Sequence, residues 1–215
     1  MNPTEQGQSL DTLRDIRNIM ERSARFLSLS GWSGIWAGIS ALLGGGIALT
    51  FLEDYYNDYN TRGGFDGSAY ETLRNRLFFL GLGILLLAVA GAYGFTYRKV
   101  KRQGLTLWNS AAKRFLFHLL LPILAGAAFV AGFLFYNDWQ YVAPACLVFY
   151  GLGLINAGKF TIDDVRYLGI LEVALGIVCI FFPGAGLYFW ALGFGVLHII
   201  YGIVMWNKYD KERLG

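Results

Sequence analysis

The sequence predicts an all-α membrane protein, a bundle of six transmembrane helices built as three hairpin repeats. Of its 215 residues, 55% are hydrophobic and only 15% are charged, which is too apolar for an ordinary soluble domain. Six long apolar segments are separated by short polar breaks, and alternate breaks hold 15 of the 18 Lys and Arg residues. A helix of about 20 apolar residues crosses roughly 30 Å of hydrocarbon with its backbone polar groups satisfied. A bilayer-embedded helical bundle is therefore expected.

The predicted spans are the six predominantly apolar segments between the polar breaks. They cover residues 26–51, 77–97, 115–136, 141–160, 167–182 and 187–206. Consecutive spans pair into hairpins over 26–97, 115–160 and 167–206, within a membrane domain of residues 26–207. The alternating polarity that is typical of barrel strands is missing from these segments.

The distribution of cations predicts the orientation, because short loops rich in Lys and Arg stay in the cytoplasm. Fifteen cations precede the first span, follow the second and fourth spans, or lie in the tail at 208–215. The opposite side receives only Arg62, Arg74 and Arg76. Both termini are therefore expected in the cytoplasm, and the net charge of +3 reflects topology rather than binding of nucleic acid.

Residues 1–25 are predicted to form a cytoplasmic amphipathic helix. Leu10, Leu13, Ile16 and Met20 recur at helical spacing among charged residues. This helix lies either on the inner membrane surface or against the cytoplasmic loops, and the pattern leaves both alternatives open. A cleavable signal peptide is not expected, because these residues are polar and the first apolar run exceeds a typical signal core.

The longest break, residues 53–76, is predicted to be a solvated, tyrosine-rich outer loop that is available to a partner. It loosely imitates a calcium-binding loop. However, Arg62 and Ala69 stand where that loop needs oxygen ligands, so no metal site is predicted.

Three predicted spans share a Gly-x-Gly pattern, which indicates an internal repeat. It occurs as Leu-Gly-Leu-Gly at 80–83, Tyr-Gly-Leu-Gly at 150–153 and Leu-Gly-Phe-Gly at 192–195. Chance matches remain the alternative, since glycine is common in membrane helices. If the repeat is real, these glycines are expected to face the bundle, where small residues permit close helix contact.

The last hairpin resembles the hairpin unit of HdeD-type bacterial membrane proteins. The resemblance rests on Leu168-Gly169-Ile170, Leu175-Gly176-Ile177, Phe182-Pro183-Gly184-Ala185, Gly195 and Tyr201-Gly202-Ile203. It implies six spans in three hairpins and a link to acid resistance, without catalytic residues.

Residues 15–23 and 25–31 resemble the start of an uncharacterised membrane family from Bacteroidetes. The two resemblances imply the bacterial cytoplasmic (inner) membrane as the location. Some members of the Bacteroidetes family carry a carotene-oxygenase label. Known carotene oxygenases hold iron with four histidines, whereas this chain has only His118 and His198.

Glu172 and His198 form the candidate intramembrane polar pair, because ionisable residues at membrane depth are costly and often functional. Their predicted depths match, and each shares a helical face with small residues. These candidate helix-packing residues are Gly169 and Gly176 beside Glu172, and Gly195 and Gly202 beside His198. The pair is either a structural hydrogen bond between the last two spans or a proton-responsive pair, since histidine changes charge near neutral pH.

His118 and Asn156 are secondary polar residues near the inner boundary. Snorkelling to the interface or a hydrogen bond between helices accounts for each of them. Two histidines on separate spans are weak evidence for haem, so no cofactor is predicted.

The sequence lacks a phosphate-binding glycine loop, a zincin motif and a nucleophile elbow, so no catalytic residue is predicted. The first hypothesis is a non-enzymatic membrane protein with a structural, stress-related or partner-binding role. The alternative is a small proton-sensitive transporter or channel that uses Glu172 and His198. The expected partners are the lipid bilayer and either a second copy of the chain or another membrane protein, with no nucleic acid.

Overall fold

The computed structural model describes residues 29–104 and 107–210. The predicted amphipathic helix over 1–25 and the last five residues of the tail lie outside this range. The described residues form six helices and no strand, which confirms the all-α prediction. The helices are α1 (Gly31–Arg62), α2 (Gly67–Arg102), α3 (Ser110–Phe135), α4 (Val142–Ala157), α5 (Asp163–Ile180) and α6 (Gly186–Asp210).

Within the part of the chain that the structure describes, five helical segments are long and apolar enough to cross a membrane. They are α1, α2, α3, α6 and the segment Trp139–Phe160, in which 3₁₀ turns extend α4 at both ends. The 18 residues of α5 include four charged side chains, Asp163, Asp164, Arg166 and Glu172, and so fall short by composition. The chain is thus a multi-pass helical membrane protein.

The predicted outer loop at 53–76 was wrong, because α1 and α2 continue through most of it. Only residues 63–66 lie between the two helices. Gly63 ends α1 at φ 73°, where its N–H donates to the Tyr59 carbonyl, and Asp66 caps the start of α2. Polar residues here mark the exit from the membrane rather than the end of helical structure.

The cap at Asp66 is stabilised by several donors. The Ser68 hydroxyl and the backbone N–H groups of Ser68 and Ala69 donate to its carboxylate, which holds the pKa of Asp66 below its ordinary value. Arg62, at the end of α1, forms ion pairs with Asp66 and Asp58.

Glycines allow two pairs of helices to pack backbone against backbone. A Cβ at Gly202 of α6 would lie 2.6 Å from the Ile35 nitrogen of α1. A Cβ at Gly169 of α5 would lie 2.7 Å from the Gly151 oxygen of α4. Contacts this close supply the van der Waals attraction that holds helices together in lipid.

The Gly-x-Gly motifs face the bundle in α4 and α6 but not in α2. Gly151 and Gly153 contact α5 and α3, whereas nothing lies within 4 Å of a Cβ at Gly81 or Gly83. The expectation was therefore wrong for α2. That helix packs mainly on α1, through Ile84 against Gly44 and Gly91 against Trp36, so its Gly-x-Gly motif lies on a different face.

Ion pairs join the helix termini at one end of the molecule, here called the basic end. It is defined by the cations at the end of α2 and the start of α3, namely Lys99, Lys101, Arg102, Lys113 and Arg114. Lys99 lies 2.6 Å from the Asp210 carboxylate of α6, which accepts the Gly31 N–H at the start of α1. The carboxylate of Asp164 in α5 accepts hydrogen bonds from Lys208 and Tyr209 of α6.

Candidate functional site

The side chain of Glu172 is enclosed by the bundle and has no exposed surface. It lies near the middle of α5, between Gly169 and Gly176, which both pack against α4. Neither carboxyl oxygen has a hydrogen-bond partner among the described residues. An ionised carboxylate in these surroundings would be very costly, so the packing suits a protonated carboxyl group.

His198 of α6 is also buried, and both of its ring nitrogens have partners. Nδ1 lies 3.0 Å from the carbonyl oxygen of Gly193, and Nε2 lies 2.8 Å from the hydroxyl of Tyr150 in α4. A carbonyl oxygen only accepts hydrogen bonds, so Nδ1 carries a hydrogen. In the neutral ring, Nε2 then accepts the hydrogen bond that the Tyr150 hydroxyl donates.

The structure brings Glu172 and His198 together. Nδ1 of His198 lies 3.4 Å from Oε1 of Glu172, beyond the usual range of an N–H···O hydrogen bond. The Nδ1 hydrogen points to Gly193 instead. Tyr150, His198 and Glu172 therefore form a row in which the first contact is a hydrogen bond and the second is a close approach without one.

A π-helical segment in α6, Ala191–Leu197, positions this row. Gly193 lies in this segment, five residues before His198, and presents its carbonyl to the imidazole. A Cβ at Gly193 would lie 2.5 Å from both Oε2 of Glu172 and Cδ2 of Leu147. The Glu172 carboxyl thus packs directly on the α6 backbone, which only a glycine permits.

Tyr150 and Gly193 are site residues that the sequence argument missed. A signal for each is present in the Gly-x-Gly motifs. Tyr150 is the residue before the motif of α4, where α2 and α6 have Leu80 and Leu192. Gly193 is the first glycine of the α6 motif.

The four packing glycines fall on two separate helix contacts. Gly169 and Gly176 lie against α4, whereas Gly195 and Gly202 lie against α1, facing Leu42 and Ile35. Glu172 and His198 project between these contacts, from α5 and α6 respectively. The polar row therefore lies between two close helix contacts, α5 against α4 and α6 against α1, in which the backbones pack directly on each other.

The secondary polar residues join a different pair of helices. Asn156 of α4 donates a hydrogen bond of 3.1 Å to the His118 carbonyl of α3. The His118 ring stacks on Phe160 with centroids 4.6 Å apart. These contacts connect α3 to α4, whereas Glu172 and His198 connect α5 to α6.

Fold and site define a multi-pass helical membrane protein with a buried polar row. Residues 167–213, which include Glu172 and His198, match the model of a family described as a short repeat of unknown function (DUF308). The match covers less than a quarter of the chain and overlaps the predicted last hairpin. No curated protein and no solved structure matches the chain. The resemblances to HdeD-type proteins and to the Bacteroidetes family stay predictions.

Proposed function

We propose that the protein is a non-enzymatic, six-span protein of the bacterial cytoplasmic membrane with a structural, stress-related or partner-binding role. The sixth span in this proposal is α5. Its 18 residues extend about 27 Å at 1.5 Å per residue. Asp163, Asp164 and Arg166 lie in its first turn, at the basic end, which leaves Glu172 as the single acidic or basic residue deeper in the helix.

With six crossings, both termini lie on the same side as the basic end, and the positive-inside rule favours the cytoplasm for that side. The helices then form the three hairpins α1–α2, α3–α4 and α5–α6. The turns at residues 63–66, 136–138 and 181–185 face outward. The repeat proposal is supported by the Gly-x-Gly motifs, which occur in the second helix of each hairpin.

The α1–α2 hairpin carries the partner-binding role. Its helices have 32 and 36 residues, or about 48 and 54 Å, which exceeds the roughly 30 Å of a hydrocarbon layer. Its outer part exposes Tyr56, Tyr59 and Phe65, and Phe65 at the turn is 70% exposed. Exposed aromatic side chains of this kind are enriched at protein interfaces. This protruding aromatic surface is the observation that carries the proposal.

Photo-crosslinking in intact cells tests the partner-binding role. A photoreactive amino acid replaces Phe65 in the turn or, as a matched control, the 62%-exposed Leu86 in the apolar part of α2. We expect an adduct of one defined mass from position 65 that position 86 does not give. Failure of position 65 to yield a protein adduct would contradict the role.

The second candidate is a small proton-sensitive transporter or channel, favoured by one specific observation. The Glu172 carboxyl is fully enclosed, has no hydrogen-bond partner among the described residues and lies 3.4 Å from His198. If the pair served only to join the two helices, Glu172 and His198 would be expected to form a hydrogen bond. Instead, the carboxyl lies next to a titratable ring without a hydrogen bond between them. Such an arrangement suits uptake and release of a proton.

Proton flux into proteoliposomes across a pH gradient tests this candidate. The native chain is expected to dissipate the gradient faster than protein-free liposomes, and Glu172→Gln is expected to lose the difference. Glu71→Gln is the matched control, since Glu71 is an exposed carboxylate near the outer turn. Equal flux in native and Glu172→Gln liposomes would eliminate the transport role of Glu172.

A further inference from the structure

We propose that the hydroxyls of Tyr209, Tyr201 and Tyr150 form a route that carries protons between the basic end of the bundle and Glu172. The inference rests on the second candidate function, in which Glu172 takes up a proton. It adds the path by which that proton arrives and the side from which it enters.

The three tyrosines border one core cluster. Tyr150 projects from α4, and Tyr201 and Tyr209 project from α6, all against the cluster that contains Leu154 and Met205. Tyr209 follows His198 by eleven positions along α6, which corresponds to about 16 Å. The tyrosines therefore lie in a region that reaches from the buried polar row to the basic end.

Both ends of the route are defined by hydrogen bonds. At the basic end, Tyr209 donates to the Asp164 carboxylate at 2.7 Å, and Lys208 contacts the same oxygen at 3.0 Å. Lys208 is 56% exposed, so this end meets water. At the inner end, the Tyr150 hydroxyl lies 2.8 Å from Nε2 of His198, whose Nδ1 faces Glu172.

Tyr201 occupies the middle of the route. Its hydroxyl is enclosed and has no hydrogen-bond partner among the described residues. Its ring packs against the same core cluster as Tyr150 and Tyr209, which stand at the two ends of the route. A phenylalanine would pack the same ring without the cost of burying an unpaired hydroxyl, so packing alone does not explain this tyrosine. The route therefore requires a water molecule between Tyr201 and the hydroxyl on either side of it, a role that water commonly has among buried polar groups.

The proton transfer is balanced at each step. A proton enters at Asp164 and Tyr209, and each hydroxyl accepts one proton and releases its own to the next group. Tyr150 protonates Nε2 of His198, and Nδ1 releases its hydrogen to Oε1 of Glu172. One proton has then left water and one carboxylate has become a carboxylic acid, with the imidazole in its other tautomer. Among the described residues, the titratable group that lies against Glu172 is His198 of α6, and Tyr150 of α4 is hydrogen-bonded to the other nitrogen of its ring.

Stopped-flow infrared spectroscopy of the full chain in detergent tests the route. After a pH jump from alkaline to neutral solution, the native protein is expected to gain a carboxylic acid band that Glu172→Gln lacks. Tyr201→Phe is expected to reach the same final amplitude about tenfold or more slowly. Tyr93→Phe is the matched control and is expected to keep the native rate, because Tyr93 lies on the exposed face of α2.

The outcomes separate the route from the function on which it rests. A native rate in Tyr201→Phe, with the Glu172-dependent band present, would overturn the route alone. Absence of that band from the native protein would overturn proton uptake by Glu172 and the route with it. Thermal unfolding serves as the folding control, since Tyr201→Phe removes an unpaired hydroxyl and is expected to leave stability unchanged or raised.

Discussion

The imidazole of His198 and the carboxyl of Glu172 approach to 3.4 Å without forming a hydrogen bond. The Nδ1 hydrogen is directed to the Gly193 carbonyl of the same helix at 3.0 Å. His198 thus has two acceptors within reach, one on α6 and one on α5. A rotation of the ring would direct the Nδ1 hydrogen away from the Gly193 carbonyl and toward Oε1 of Glu172.

Replacing Glu172 with Met tests whether the pair is a structural tie. Because the carboxyl has no hydrogen-bond partner within 29–104 and 107–210, Glu172→Met is expected to leave the free energy of unfolding unchanged or to raise it by about 1–2 kcal/mol. Asn156→Leu is the contrasting variant, since Asn156 does form a hydrogen bond to α3, and a loss of about 1 kcal/mol is expected. Chemical unfolding in mixed micelles measures both. A loss above about 2 kcal/mol in Glu172→Met would favour the structural role.

Gly193→Ala is expected to destabilise the protein by about 1–3 kcal/mol, because its Cβ would lie 2.5 Å from Glu172 and Leu147 atoms. Gly83→Ala in α2 is the matched control. It alters the same kind of motif at a position with open space, and no loss is expected. Thermal unfolding followed by circular dichroism measures the difference. Equal melting temperatures of the two variants would show that Gly193 is not in close contact with Glu172.

Lys99→Met is expected to cost about 3 kcal/mol, since it leaves the Asp210 carboxylate, with only 12% of its side chain exposed, without its cation. The double variant Lys99→Met/Asp210→Leu is expected to recover most of that loss. Lys208→Met, in a pair whose cation is 56% exposed, is expected to cost about 1 kcal/mol or less. If both single variants lose the same stability, the Lys99–Asp210 pair does not hold α1, α2 and α6 together.

Asp66 is expected to contribute to stability only when its carboxylate is charged. Its folded-state pKa lies below the ordinary value of 3.8, because Ser68 and Ala69 donate hydrogen bonds to the carboxylate. The contribution is therefore complete above that ordinary value and is lost as the pH falls through the lower folded-state pKa. The Ser68 amide shift in NMR, followed against pH, is expected to show a midpoint below 3.8, which Asp66→Asn abolishes. A midpoint at or above 3.8 would mean that the cap is not formed.

The sequence predicts the helical class and the approximate positions of the helices, because apolar length is a property of each segment alone. Glu172 and His198 are recognisable for the same reason, as ionisable residues inside apolar runs. Tyr150 cannot be recognised in this way, because tyrosine is common in membrane helices. Its role depends on which residue of another helix it contacts. The exposed position of Gly81 likewise depends on which helices pack against α2.

The outer ends of α1 and α2 show why the sequence-based prediction of a loop at 53–76 failed. Residues 53–62 and 67–76 are predominantly polar, which predicts a loop between two apolar spans, but polar residues also form helices outside the membrane. The residues that end α1 and begin α2 can nevertheless be recognised in the sequence. Gly63 supplies the left-handed C-terminal cap, and Asp66 precedes the first turn of α2 as an N-terminal cap.

The crossing of the membrane by α5 is the central claim, since it sets the orientation of Glu172 and His198. Labelling of single cysteines with an impermeant maleimide in intact cells tests it, in a chain whose Cys146 and Cys179 are replaced by Ala. Ala185→Cys, in the turn after α5, is expected to be labelled from outside, like Gly64→Cys in the first turn. Gln103→Cys at the basic end is expected to react only after permeabilisation. Protection of Ala185→Cys in intact cells, together with Gln103→Cys, would contradict the six-span account.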